Sequence, residues 1–175
     1  MDSTTDKQAF LDLIRDNRKI IFKICNSYCP NKIERDDLAQ EIVYHLWKSF
    51  AHFDPEMKFS TWMYRVALNV AISFYRKEKK SKPQVEFSES LVVFEENPDA
   101  NSEAEHNLQL LMKFIYELRE IDKSIMLLYL DEKTYKEIAE ITGITESNVA
   151  TKVNRIKEKL KSNFSTVQNN YYGTK

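Results

Sequence analysis

Residues 36–80 carry two surface chemistries side by side. From Phe59 to Lys80 the rings of Trp62, Tyr64, Phe74 and Tyr75 are interleaved with Arg65, Asn69, Ser73, Arg76, Lys77, Lys79 and Lys80. Aromatic faces stack on unpaired bases and cations neutralise phosphates, so this mixture suits an opened nucleic-acid strand. Just before it, Asp37, Gln40, Glu41, Tyr44 and Lys48 recur at helical spacing and present an acidic surface. A third cluster, Glu146, Ser147, Asn148, Thr151, Lys152, Asn154 and Arg155, offers the donors and acceptors that read base edges in a major groove.

Other chemistries find no support. Glu41 and His45 stand four apart but lack the second histidine of a zinc-protease motif. Cys25 and Cys29 would need two more ligands to hold a metal, and His45, His52 and His106 are scattered. The two thiols read as reduced and packed at a helix end. Two glycines, Gly143 and Gly173, cannot build a dinucleotide fingerprint or a P-loop. No paired carboxylates or nucleophile elbow appears, so neither an enzyme nor a cofactor is expected.

The elements that position these residues are helices. The pattern predicts a first helix from Asp6 to Tyr28 buried along Phe10, Leu11, Ile14, Ile20, Ile21, Ile24 and Cys25, ended by Pro30 and Asn31. A second starts near Glu34, buries Leu38, Ile42, Val43, Leu46, Trp47 and Phe50, and stops before Phe53-Asp54-Pro55. Ser60 is the expected N-cap of a third. After residue 105 apolar spacing resumes through Leu108, Leu111, Phe114, Ile115 and Leu118, then Ile125 to Leu130. Thr134 to Ile141 is expected as a short helix and Gly143 as the left-handed residue that ends it. Thr145 then caps a final helix to about Phe164, buried along Val149, Val153, Ile156 and Leu160. This is a helix-turn-helix pattern, although an αα-hairpin used only for protein contacts would share it.

The net charge of −1 conceals opposed blocks. Six cations face only Glu78 between Arg65 and Lys82, and seven acids fall between Val85 and Glu105 with no cation among them. The acidic stretch contains Pro83 and Pro98 and lacks periodicity, apart from the apolar patch Leu91-Val92-Val93-Phe94, so it reads as a flexible linker. The longest apolar run, Ile125 to Leu130, is far short of the roughly 20 residues of a membrane span. The first residues lack the pattern of a signal peptide, and a cytoplasmic protein is expected.

Two signatures then agree. DLAQEIVYHLW followed by FSTWMYRVALNVAISFYRK resembles region two of the sigma-70 family of bacterial transcription initiation factors. LREIDKSIMLLYLDEKTYKEIAEITGITESNVATKVNRIKEKL resembles region four. A short linker, with no region one or long region three, is similar to the extracytoplasmic-function (ECF) group. The resemblance implies an all-α fold of two small helical domains joined by a flexible acidic linker. Region two would span 1–81, the linker 82–105, region four 106–164 and a polar tail 165–175. It also implies a sigma factor that binds core RNA polymerase and directs promoter recognition and strand opening.

Residue by residue, it places Asp37, Gln40, Glu41 and Trp47 on the clamp helices of the β′ subunit, and region four on the β flap. His52, Lys58, Phe59, Trp62, Arg65, Asn69, Ser73, Arg76 and Lys77 fall on the minus-ten element, the turn 52–58 as the loop that captures an extruded base. Ser147, Asn148, Thr151, Lys152, Asn154 and Arg155 fall on the minus-thirty-five element. Ala150 stands where the family often has a basic residue, so that contact is missing or moved to Lys152. Promoter DNA in double- and single-stranded form, core polymerase and an anti-sigma factor are the implied partners, with the protein a monomer and not inserted in a membrane. The rival expectation is a stand-alone helix-turn-helix regulator with an N-terminal helical sensing or dimerising domain.

Overall fold

Every described element is a helix, as expected from a chain with two glycines and apolar spacings near four. The computed structural model describes residues 3–81 and 103–172, with side chains from 7 to 78 and from 104 to 167. The chain divides into two units, Met1–Glu86 and Phe87–Lys175. The first holds α1 (Ser3–Asp16), α2 (Arg18–Tyr28), α3 (Lys32–Phe50) and α4 (Phe59–Ser81). The second holds α5 (Glu103–Tyr116), α6 (Glu120–Leu130), α7 (Tyr135–Thr142) and α8 (Glu146–Tyr172).

In the first unit α2, α3 and α4 pack on one another around Ile24, Leu38, Ile42, Leu46 and Met63, all fully buried. Burying one such side chain stabilises by about 1.5–3 kcal/mol. Ala67 and Ala71, also fully buried, keep one side of α4 small where neighbours approach. The expected first helix is in fact two. At Asn17 the backbone leaves helical geometry, and the Asn17 side-chain amide donates to the Leu13 carbonyl at 2.9 Å. A short polar side chain competing for the backbone broke a periodicity that apolar spacing alone carried straight through.

Asn31 starts α3 with its side chain accepting from Glu34 N at 2.8 Å. The turn after α3 is organised by Asp54, whose carboxylate accepts from Glu56 N at 3.0 Å. The start of α4 corrects one expectation: the helix begins at Phe59, and Thr61 N and Trp62 N bond the Lys58 carbonyl, so Ser60 lies inside the first turn rather than capping it.

In the second unit the helix-turn-helix forms as its local residues dictate. Thr134 caps α7 in a reciprocal box, accepting from Glu137 N at 3.2 Å while the Glu137 carboxylate accepts from Thr134 N at 2.9 Å. Gly143 ends α7 at φ 75°, and Thr145 Oγ1 accepts from Asn148 N at 3.2 Å to start α8. Ile138, Ile141, Val149, Val153, Ile156 and Leu160 close the core against Ile115, Ile125 and Leu128. At the end of α6, Glu132 adopts φ 58° while Lys133 N bonds Leu128 O and Glu132 N bonds Tyr129 O. That is a left-handed helix stop of the kind glycine favours, here made by a side chain that carries a Cβ.

The final helix runs to Tyr172, eight residues past the expected end, with Phe164 held edge-on against Phe114 at 5.1 Å. The acidic linker and its Leu91–Phe94 patch fall on residues 82–102, outside the described residues, and Glu103 already belongs to α5.

Candidate nucleic-acid interface

α4 exposes the residues expected to face an opened strand because its other side is the core. Arg65, Asn69, Ser73, Arg76 and Lys77 fall at successive helical turns; Asn69, Ser73, Arg76 and Lys77 are exposed and Arg65 is half-buried. Met63, Tyr64, Ala67, Leu68, Val70 and Ala71 are buried on the remaining surface. His52 and Lys58 are exposed in the turn that precedes the helix, and Phe59 is half-buried.

Trp62 does not join them. It is 9% exposed, its ring 5.1 Å from Phe53, 5.3 Å from Phe59 and 6.3 Å from Phe50. Four rings thus clamp the 51–58 turn to the start of α4, and Trp62 supports the exposed residues from beneath. Tyr64 is buried likewise.

On α3, Asp37, Gln40, Glu41 and Tyr44 are exposed opposite the buried Leu38, Ile42 and Leu46. Trp47, expected in the buried stripe and also as a docking residue, is 43% exposed, with one edge on Phe10 at 5.0 Å. Together with Phe10, Leu11, Gln40, Val43 and Tyr44 it lines a groove of about 560 Å³ between α1 and α3. The contribution of α1 to this surface was missed in the sequence. Leu11, expected in the buried stripe, is instead 47% exposed and lines the groove beside Phe10.

On α8 the expected DNA-reading residues Ser147, Asn148, Thr151, Asn154 and Arg155 are all exposed. Lys152 is a correction: its amine is turned inward, donating to Asp122 Oδ1 at 2.8 Å, and its side chain is 26% exposed. The same carboxylate accepts on Oδ2 from Arg119 Nε at 3.1 Å and Nη2 at 2.9 Å. Burial pushes the Asp122 carboxyl upward, but the hydrogen bonds and charges of Lys152 and Arg119 outweigh it and hold it below its ordinary value. Asp122 is therefore ionised at neutral pH. Lys123, next to it, is fully buried with its amine 4.4 Å from the Tyr116 ring centroid.

Cys25 and Cys29 are buried thiols outside any disulfide, and burial pushes the Cys25 thiol up to about 12, with Arg35 pulling it down and Asp36 adding a further upward push. Among the described residues no group of three or more His, Cys, Asp or Glu is placed to hold a metal ion. None of the described helices is long and apolar enough to cross a membrane.

Comparison with known proteins agrees with this geometry. The family model Sigma-70 region 2 matches residues 13–81, and Sigma-70, region 4 matches residues 108–160. The ECF RNA polymerase sigma factor SigW of Bacillus subtilis is 30% identical over 166 residues, covering 89% of each chain. The chain belongs to the ECF sigma factors. The ECF sigma-E factor of Escherichia coli K12 is 26% identical to this sigma factor over 163 residues, covering 87% of this chain and 85% of the relative. Two solved structures share the fold at 17% identity. CnrH, in complex with the cytosolic domain of CnrY, has a TM-score of 0.66 over 91% of this chain and 90% of its own. The sigma factor RpoE of Bartonella quintana, in complex with the anti-sigma factor NepR, has 0.65 over 91% and 96%.

Proposed function

We propose that the exposed acidic stripe of α3, Asp37, Gln40 and Glu41, with Trp47 beside it, docks on core RNA polymerase so that the neighbouring face of α4 can hold an opened promoter strand. Asn69 and Ser73 contact bases of the minus-ten element, Arg65, Arg76, Lys77 and Lys58 its phosphates, and His52 and Phe59 border the extruded base. Ser147, Asn148, Thr151, Asn154 and Arg155 of α8 read the minus-thirty-five element as duplex. Supporting this reading is the alignment of Asn69, Ser73, Arg76 and Lys77 along the exposed side of a helix that is otherwise core.

The physics favours a conditional DNA binder. Affinity for duplex comes mostly from neutralised phosphates, and a chain of net charge −1 binds duplex weakly alone. Fixing both units on the polymerase makes the second DNA contact effectively intramolecular and raises avidity. Unstacking a base costs on the order of a few kcal/mol, offset by contacts to the strand once opened. The factor performs no bond chemistry; it acts in the cytoplasm, where it selects and opens promoters for the polymerase. An anti-sigma partner that covers the DNA-facing helices is part of the proposal, and equal transcription with and without a bound partner would count against that part.

The test is run-off transcription with core polymerase, together with the triple variant Asp37→Asn, Gln40→Ala, Glu41→Gln. Loss of holoenzyme assembly with both units still folded is expected. Unimpaired assembly, or tight operator binding by the free wild-type chain as a dimer, would overturn the reading in favour of a stand-alone regulator.

A further inference from the structure

Asp122 is shared by two helices of the second unit. It lies in the first turn of α6, which Arg119 precedes as N-cap, and each of its oxygens serves a different cation. Oδ1 takes Lys152 from α8, 30 positions away in sequence, and Oδ2 takes Arg119. The carboxylate side chain is 12% exposed, so the pair with Lys152 is shielded from solvent far better than an ordinary surface ion pair. Lys152 directly follows Thr151 and sits one turn before Arg155, both on the reading face. With its long stem, an untethered Lys152 amine would reach the DNA backbone beside them.

One further cation of α8, Lys157, is also drawn toward the protein. Lys157 Nζ lies 5.4 Å from the Tyr129 ring centroid and 3.4 Å from its hydroxyl, and Lys161 pairs with Glu158 at 3.4 Å. Of the five cations between Glu146 and Phe164, Lys152 is thus held by the carboxylate with the least exposure and Lys157 lies against Tyr129, whereas the Lys161–Glu158 pair is on the surface.

We propose that Asp122 is a positioning residue that governs DNA affinity: an internal counter-charge that withdraws Lys152, and restrains Arg119, from the phosphate backbone. This rests on the reading of α8 as the minus-thirty-five reader. Phosphate contacts add affinity for any sequence, whereas contacts to base edges discriminate. By neutralising two cations internally, Asp122 leaves α8 to bind through Ser147, Asn148, Thr151, Asn154 and Arg155, and keeps the free factor off random duplex until polymerase delivers it.

The experiment titrates the free full-length chain against a labelled duplex carrying a scrambled minus-thirty-five element, over a salt series. Asp122→Asn is expected to bind this duplex more tightly than wild type at low salt. Its slope of log affinity against log salt should steepen by about 0.9 for each cation released. Between 50 and 200 mM salt that is about 3.5-fold additional loss per cation. Adding Lys152→Met to Asp122→Asn should remove one such increment, and Asp122→Glu should restore the wild-type slope. Lys152→Met alone should lower the melting temperature without changing the slope, because the amine is not on phosphate to begin with.

The proposal is overturned if Asp122→Asn folds yet binds more weakly with an unchanged or shallower slope, the result of a merely architectural role. It is also overturned if Lys152→Met by itself makes the slope shallower by about 0.9. That second arm decides the matter even where Asp122→Asn does not fold. Failure of the promoter reading shows elsewhere, as a wild-type holoenzyme indifferent to scrambling of the minus-thirty-five element.

Discussion

Replacing Phe10 with alanine should detach α1 while leaving the rest of its unit folded. Phe10 is 3% exposed and is the one residue of α1 that is fully buried among those described; Leu13 and Ile14 are half-buried. Its ring meets Trp47 edge-on at 5.0 Å and Phe50 at 5.2 Å. Each such pair contributes about 0.5–1.5 kcal/mol beyond area burial, and removing a buried Phe side chain costs about 3–5 kcal/mol. A 14-residue helix is marginal in water by itself, so α1 depends on this anchor. At the low end of that range, about 3 kcal/mol, the detached population rises roughly a hundredfold. Hydrogen exchange resolved by residue is the assay. Protection of α1 amides should fall by about that factor, while amides around Leu38, Ile42 and Leu46 change little because α2, α3 and α4 pack without α1. Equal loss of protection in α1 and α3, or none in α1, would refute the reasoning.

Three further outcomes are expected. The left-handed residues Glu132 and Gly143 should respond oppositely: Glu132→Gly should stabilise by about 0.5–1 kcal/mol by relieving a strained Cβ, and Gly143→Ala should destabilise by about 1 kcal/mol. No atom lies within 4 Å of the Cβ that Gly143→Ala would add, so its cost is backbone strain alone, and thermal melts with shifts of a few degrees in opposite directions check the pair. Asn69→Ala should impair promoter opening more than polymerase binding, read as a weakened permanganate footprint at unchanged holoenzyme yield. Cys25, its thiol raised to about 12 by burial, should resist alkylation in the native protein at pH 8 and react promptly in denaturant. Because the folded value lies above the unfolded one, its contribution to stability is complete below about pH 9 and is lost as pH rises toward 12, which denaturant titrations across that window measure.

The parts legible in the sequence were those specified within a few residues. Thr134 and Glu137, Gly143, and Thr145 with Asn148 each close a bond over three or four positions, so the helix-turn-helix could be placed almost to the residue. What escaped were effects that need the chain to return on itself. For Trp62 the sequence left core packing and base stacking equally open, and Phe50 and Phe53 come back across the turn and enclose it. Lys152 had the position of a DNA contact, but a carboxylate 30 residues earlier claims it. Arg119 and Asp122 pair three positions apart, but nothing local tied them to α8. Asn17 failed for the reverse reason: a single local hydrogen bond interrupted a long-range pattern.

The unbroken course of α8 makes it a lever. From Ser147 to Phe164, anchored on Phe114, the axis spans about 26 Å. Tipping the Ser147 end by ten degrees sweeps the far end through about 4–5 Å at that length. A fluorophore attached near Asn163, paired with another on the duplex, therefore turns small differences in how the helix seats at one promoter or another into measurable changes in energy transfer.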